Sequence, residues 1–142
     1  MSTHRLIAAA TIVSVLHIPP GYACGYCIED KMASVYDGAL VAQAVRDKHR
    51  VAFFALVGPL SPDAAKREAI VHLVESVRGI DRHSTRLSVE NAALSFSFDA
   101  NAVPFALLHR TLARKLSSHG LSLELVSVME RPADFKIMRG SR

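Results

Sequence analysis

The sequence lacks the short motifs that mark the common enzyme classes. It has no glycine-rich phosphate loop, no nucleophile elbow around a serine and no His-Glu-x-x-His pattern. The adjacent carboxylates of Glu29 and Asp30 point apart on a helix, so they do not form a paired acid and base. These absences predict a protein that is not an enzyme and that has no cavity for an organic cofactor.

Long hydrophobic runs are also missing. The longest apolar stretch, Leu6 to Ile18, is shorter than the roughly 20 residues that span a bilayer. It follows the basic His4 and Arg5 and precedes small residues that end at Ala23, which is the layout of a cleavable secretory signal. We expect residues 1–23 to be a signal peptide and the protein to be periplasmic or secreted. The alternative is a buried N-terminal helix in a cytosolic protein.

Cysteine is scarce, and both copies stand together as Cys24-Gly25-Tyr26-Cys27. A pair at this spacing can bind a metal ion, cycle between thiols and disulfide, or close a turn as a structural disulfide. Cleavage after Ala23 would make Cys24 the first residue of the mature chain, which adds the alternative of a lipid-modified cysteine. A lipidated Cys24 could not pair with Cys27.

Charge of neither sign is concentrated. The net charge is +4, the basic residues are scattered, and no aromatic side chains are interleaved with them as in a nucleic-acid platform. We therefore expect no nucleic-acid partner.

Apolar residues from Ile28 to Ala42 recur at spacings of three and four, which predicts a helix over 26–48. The cysteine pair then lies at a helix N-terminus, where unpaired backbone N–H groups and the helix dipole stabilise a thiolate. Lys31, one turn after Cys27, is expected to add to this effect. Gly38 weakens the middle of this helix by about 1 kcal/mol relative to alanine.

From Arg50 onward the pattern predicts strand, helix, strand, strand, helix, strand. This order is typical of the ferredoxin-like βαββαβ sandwich, an α+β fold with a four-stranded antiparallel sheet and both helices on one face. The expected elements are a strand at 51–57, a helix capped by Ser61 that runs to Arg78, a hairpin of strands at 85–89 and 94–98, a helix at 103–116 and a strand at 121–125.

One face of such a sheet has no cover of its own. The first strand is apolar on both faces, and the third shows only Ala93, Ser95 and Ser97 on the side away from its large apolar residues. Small side chains leave room for close packing. We expect the N-terminal helix to lie across this face, which brings the cysteine pair to one edge of the sheet.

Residues 51–128 resemble a heavy-metal-associated domain. The resemblance rests on the strand, Gly58 and helix opening, on "VESVRGIDR" and "LARKLSSHGL" at the two helix ends, and on the hairpin "LSVENAALSFSFDA". The resemblance implies a loop Gly-Met-x-Cys-x-x-Cys after the first strand that binds a soft cation such as Cu(I). Here Ser61 and Ala64 stand at the two cysteine positions, so this loop has lost its ligands.

The remaining pair, Cys24 and Cys27, is the predicted metal site. Two soft sulfur ligands favour Cu(I), or Zn(II) if two more ligands join. Met32 could add a thioether, although at helical spacing it is more typical of a core residue. We expect a metal chaperone or buffer whose partners are the ion and a protein that receives it, with a membrane contact only if Cys24 is lipidated. Two alternatives stay open: an interaction module with a structural disulfide, and a thiol–disulfide redox protein.

The predicted organisation has four parts: a signal peptide at 1–23, a Cys-x-x-Cys helix at 24–49, the ferredoxin-like domain at 50–130 and a polar, fraying tail at 131–142.

Overall fold

The computed structural model describes the backbone of residues 24–134 and the side chains of residues 28–134. The predicted signal peptide at 1–23 and most of the predicted tail at 131–142 lie outside these residues. No helix among the described residues is long and apolar enough to cross a membrane.

Four helices and four strands follow one another in the described chain. They are α1 (Cys24–Val35), α2 (Gly38–Arg46), β1 (Arg50–Val57), α3 (Ala64–Glu75), β2 (Arg86–Ser88), β3 (Ala93–Phe98), α4 (Phe105–Ser117) and β4 (Ser122–Met129). From β1 onward the order is strand, helix, strand, strand, helix, strand, as predicted.

The four strands form one antiparallel sheet in the order β2-β3-β1-β4. The strand β1 pairs with β3 on one side and with β4 on the other. Val51 to Leu56 are all buried, because this central strand is covered on both faces. This strand order and the two helical crossovers confirm the predicted ferredoxin-like fold.

The main core lies between the sheet and the α3–α4 layer. Helix α4 contributes Leu108, Leu112 and Leu116 at spacings of four, which places one stripe of leucines against the sheet. Helix α3 contributes Ile70 and Val74 in the same way. The large side chains on this face of the sheet pack against both helices: Phe54, Leu56, Leu94, Phe96 and Phe98.

The opposite face of the sheet is covered by α1 and α2. Their apolar residues pack with those of the strands into a second buried cluster, made of Met32, Val35, Val41, Ala44, Val51, Phe53, Ala93 and Met129. Ser95 is fully buried beneath α1, and its Oγ donates a 2.7 Å hydrogen bond to the carbonyl oxygen of Val35. The N-terminal helical segment therefore lies across the open face, as predicted from the small residues of β3.

The N-terminal segment is two helices, so the prediction of a single helix over 26–48 is wrong. The break falls at Asp37, whose backbone is extended (φ −122°, ψ 108°). Its Oδ1 accepts hydrogen bonds from the N–H groups of Ala39 (2.9 Å) and Leu40 (3.0 Å), which caps a new helix. Its Oδ2 accepts from both Nε (3.0 Å) and Nη2 (2.9 Å) of Arg86 on β2. Asp37 thus ends one helix, begins the next and ties both to the sheet.

Replacing Asp37 by alanine should lower the free energy of unfolding by about 1–2 kcal/mol, since it removes a helix cap and a partly exposed ion pair. Asp37→Asn keeps a good helix cap and loses only the charge, so it should lower the free energy of unfolding by less than Asp37→Ala. The measurement is urea unfolding at neutral pH. Equal losses of unfolding free energy in the two variants would contradict the separate contribution of the cap.

The same carboxylate should make stability fall in acid. Hydrogen bonding from the Leu40 N–H, followed by the Arg86 guanidinium, holds the pKa of Asp37 below its ordinary value of 3.8. A lowered folded-state pKa contributes stability that is present above the unfolded value and is lost as pH falls through the folded value. The difference in unfolding free energy between the native chain and Asp37→Asn should therefore narrow as the pH falls below 3.8 toward the lowered pKa of the folded state.

Element ends differ from the predictions in small ways. Helix α3 is capped by Asp63, whose Oδ1 accepts from the Lys66 N–H at 2.9 Å, and Ser61 instead accepts from the Asp63 N–H at 3.3 Å. The predicted cap at Ser61 is therefore wrong by two positions. Strand β4 continues to Met129, four residues beyond the predicted end, because its second half pairs with the start of β1.

Candidate metal site

Both cysteines of the chain lie in the first turn of α1, which begins at Cys24. The backbone thus places the pair at a helix N-terminus, where the sequence predicts it. The side chains of Cys24 and Cys27 lie outside the described residues, so the assignment of these two thiols as metal ligands stays a prediction.

The direction of α1 follows from two contacts with the sheet. Near its end, the Val35 carbonyl accepts from Ser95 in the middle of β3. One turn earlier, Lys31 Nζ donates to the carbonyl oxygens of Asn91 (2.7 Å) and Ala92 (3.3 Å) in the β2–β3 hairpin. Because a helix rises about 1.5 Å per residue, the backbone of Cys27 lies about 6 Å further along the axis in the same direction. Helix α1 therefore begins at the hairpin end of the sheet.

The loop between β1 and α3 lies at this same end. The N–H of Leu56, near the end of β1, donates to the carbonyl of Ala92 at 2.8 Å, so β1 leaves the sheet beside the hairpin. Gly58 then turns the chain with φ +134°, and a Cβ there would come within 2.3 Å of the Gly120 carbonyl oxygen. Only glycine fits this close approach. The start of α1 and the β1–α3 loop thus leave the sheet at one end.

The loop itself offers no soft ligand. Ser61 and Asp63 form a hydrogen-bonded turn that caps α3, and Ala64 is the first residue of that helix. The two positions at which the family resemblance places cysteines therefore serve only to start the helix.

The other candidate ligands make contacts with other parts of the protein. Met32 is 2% exposed and belongs to the second buried cluster, so its thioether acts as core rather than as a metal ligand. His72 lies 3.5 Å from Glu68 on the surface of α3, and His109 stacks on Phe54 with ring centroids 5.6 Å apart. Among the described side chains, no group of three or more His, Cys, Asp or Glu residues is placed to hold a metal ion.

Lys31 also makes hydrogen bonds that the sequence did not indicate. Its ammonium group donates to two hairpin carbonyls instead of standing free beside the helix start. This contact fixes α1 to the sheet. The expectation that the charge of Lys31 adds to the field around Cys27 stays a prediction.

A polar cluster at the opposite end of the sheet was missed by sequence reasoning. His49 Nδ1 lies 2.9 Å from Asp81 Oδ2, and Ser97 Oγ donates to the same oxygen at 2.6 Å. His49 Nε2 lies 3.9 Å from Asp99 Oδ2. The carboxylate stands between serine and histidine, whereas in a hydrolase triad the histidine stands between the other two. The cluster thus ties the start of β1 to the end of β3 and does not activate the serine.

Comparisons with known proteins return structural likenesses only. No protein-family model matches the sequence, and no curated protein matches it. Among solved structures, oxidized MerP from Ralstonia metallidurans CH34 is similar with a TM-score of 0.42 and 12% identity, over 54% of this chain and 96% of that chain. A copper-binding domain from HMA7, a P-type ATPase, is similar with a TM-score of 0.44 and 15% identity, over 56% of this chain and 96% of that one.

The ferredoxin-like part of this chain is similar in fold to a heavy-metal-associated domain. The strand order and the helical crossovers carry the fold assignment. The helices α1 and α2 precede the ferredoxin-like unit, which begins at β1.

Proposed function

We propose that this protein binds a soft metal ion, Cu(I) first, through Cys24 and Cys27, and that it buffers the ion or hands it to a partner protein. One observation carries the proposal. The helix that contains both cysteines begins at the same end of the sheet as the β1–α3 loop, where a heavy-metal-associated domain carries its ligands. The role is non-catalytic, with the ion as cargo.

The chemistry of the pair supports Cu(I) over other ions. Two thiolates three positions apart on a first helical turn can converge on one ion, and soft sulfur ligands select Cu(I). Zn(II) would need two more ligands to complete a tetrahedral site. We infer near-linear coordination by two sulfurs, with a third ligand supplied by the partner during transfer.

The covering contact of α1 supports a site that is held in place. The helix is fixed by the buried Met32 and Val35 and by the hydrogen bonds of Lys31 and Ser95. A pair on such a helix keeps its orientation relative to the sheet, so a partner that docks at this end meets the ion in one geometry. Fixed geometry lowers the ordering cost of the transfer complex.

The proposal includes export. Residues 1–23 would be removed as a signal peptide, which leaves the Cys-x-x-Cys helix at 24–49, the domain at 50–130 and the tail at 131–142. The site would then stand close to the new N-terminus, where a partner can reach it.

An interaction module is the second candidate function. Strand β4 is the edge of the sheet next to β1, and its Leu125 is 48% exposed, so this edge could pair with a partner strand. In this case the cysteine pair would be a disulfide that closes the start of α1. A redox protein is a weaker alternative, because the pair precedes every strand of the described residues, whereas a thioredoxin-like motif follows one.

The test is a Cu(I) competition titration against a chromophoric chelator, under reducing and anaerobic conditions. We expect one ion per chain in the native protein and none in Cys24→Ser with Cys27→Ser. As a matched control, Ser61→Cys with Ala64→Cys in that double variant should restore binding at the loop, because the fold then carries the ligands that the family resemblance implies.

Failure has a distinct signature. If the native chain binds no more Cu(I) than the double variant while the loop-restored variant binds one ion, the assay works and the metal assignment is wrong. Mass spectrometry then separates the remaining states, since a disulfide lowers the mass by two hydrogens and a lipid raises it greatly.

A further inference from the structure

The outward surface of α4 has an unusual composition. The helix carries Arg110, Arg114 and Lys115 and no acidic residue. Leu107, Arg110 and Arg114 are exposed and recur at spacings of three and four, so they form one stripe on the side away from the buried leucines. Arg78, in the turn after α3, lines the same shallow cleft as Leu107. We call Arg78, Leu107, Arg110, Arg114 and Lys115 the α4 face.

The cations of the α4 face are not compensated within the described chain. In that part of the structure, Arg78, Arg110 and Arg114 make no ion pair, and Lys115 donates only to the hydroxyl of Ser76 at 3.2 Å. Elsewhere in the described chain, Arg86 pairs with Asp37 and Arg50 pairs with Glu130. The four cations of the α4 face are therefore free to attract an external anion.

Apolar surface accompanies these charges. Leu107 is 51% exposed. It borders a cleft of about 230 Å³ whose other walls are Val77, Ala102, Val103, Pro104, Leu108 and Thr111, with Arg78 as the one charged side chain. Water therefore contacts apolar side chains in the middle of a cationic surface. A ligand that has an anionic layer above an apolar layer would pair with the cations and cover the apolar side chains.

The shape of the α4 face favours an extended surface over a small anion. Arg110 and Arg114 stand on the convex outer side of a helix, and the adjacent cleft contains only one of the cations. Arg110 and Arg114 are neighbours one turn apart, but neither lines the cleft, so no pocket encloses a small anion between them. The mobile anionic headgroups of a flat membrane can gather beneath each of these cations, and each Lys or Arg near such a surface adds to the attraction.

The opposite side of the molecule is suited to face away from such a membrane. Residues 28–48, which contain most of the α1–α2 cover, carry four acidic and three basic residues. The charge of the described chain is thus unequal on its two sides, and an anionic membrane would orient the protein with α4 facing the membrane.

We propose that the α4 face binds anionic phospholipid membranes, with Arg78, Arg110, Arg114 and Lys115 at the headgroups and Leu107 inserted beside them. This proposal does not depend on a metal at Cys24 and Cys27. Each lysine or arginine near an anionic membrane contributes roughly fivefold to binding, so the loss of two should weaken it by about 25-fold at low salt.

The test is co-sedimentation of the full chain with vesicles of phosphatidylcholine alone and with one quarter phosphatidylglycerol. We expect at least a tenfold preference for the anionic vesicles, about 25-fold weaker binding in Arg110→Gln with Arg114→Gln, and a steep loss with added salt. The matched control, Arg46→Gln with Lys48→Gln, removes the same charge from exposed positions at the other side and should weaken binding by less than threefold.

The apolar run at 6–18 is present in every variant, so its own affinity for lipid cancels in the comparison. Leu107→Ser should weaken binding to anionic vesicles without changing its salt dependence. Equal losses in the two double variants, or no preference for anionic vesicles, would overturn the proposal. Binding of polyglutamate through Arg110 and Arg114 without vesicle binding would overturn it in favour of an acidic protein partner.

Discussion

Phe54→Ala is expected to lower the free energy of unfolding by about 3–5 kcal/mol, which is a large part of the stability of a domain of this size. Phe54 is 1% exposed at the centre of the middle strand. Its ring stacks on Phe96 at 5.5 Å, on His109 at 5.6 Å and on Phe105 at 6.4 Å between centroids. Truncation leaves a cavity between the sheet and α4 that these rings cannot fill without moving the helix.

The measurement is equilibrium unfolding in urea, and Phe54→Leu provides the control. Leucine keeps most of the buried volume, so it should cost less than about 1.5 kcal/mol. A loss in Phe54→Ala no larger than that in Phe54→Leu would show that the site is loosely packed, contrary to the stacked rings.

Ser95→Trp should cost about 3 kcal/mol and detach α1 from the sheet. Ser95 has no exposed surface, and its hydroxyl contacts the Val35 carbonyl directly. An indole needs space that α1 occupies, and a packed interior does not yield it without displacement. Amide exchange in α1 and α2 should therefore accelerate far more than in β1 and β3, which remain paired with each other.

The absence of tryptophan from the native chain makes this variant its own reporter. Red-shifted emission from the single indole indicates that α1 has left, whereas blue-shifted emission indicates burial. Ser95→Ala removes only one hydrogen bond and should cost about 1 kcal/mol. Ser122→Trp, at an exposed position of the β4 edge, controls for the indole itself. Unchanged melting of Ser95→Trp would refute the placement of α1 over β3.

Much of the fold could be predicted because its determinants are local or periodic. The run from Val51 to Val57 indicates a strand buried on both faces, and the small residues of β3 indicate what lies over it. The break at Asp37 has a local part, which is its cap on the Ala39 and Leu40 N–H groups. Its second part, the contact with Arg86, could not be predicted from a local pattern, because Arg86 is 49 positions away and comes into contact only when the sheet has formed.

The polar cluster shows a similar limit to sequence reasoning. His49 and Asp81 are 32 positions apart, and Ser97 lies a further 16 away, with no motif that links them. Spacing carries information within an element, but contacts between elements depend on the register of the sheet. For the candidate metal site, the sequence placed Cys24 and Cys27 at a helix start, and the topology adds which end of the sheet that start occupies.

The cover made by α1 and α2 also has a consequence for the order of folding. Its anchoring contacts join residues about 60 positions apart: Lys31 with the β2–β3 hairpin and Val35 with Ser95. Contacts of such long sequence separation form slowly, because a long loop must close before they contribute. During synthesis α1 is the first described element to leave the ribosome, but its binding surface is not made until β3 follows. Until then the apolar side of α1 is open to solvent and to other proteins.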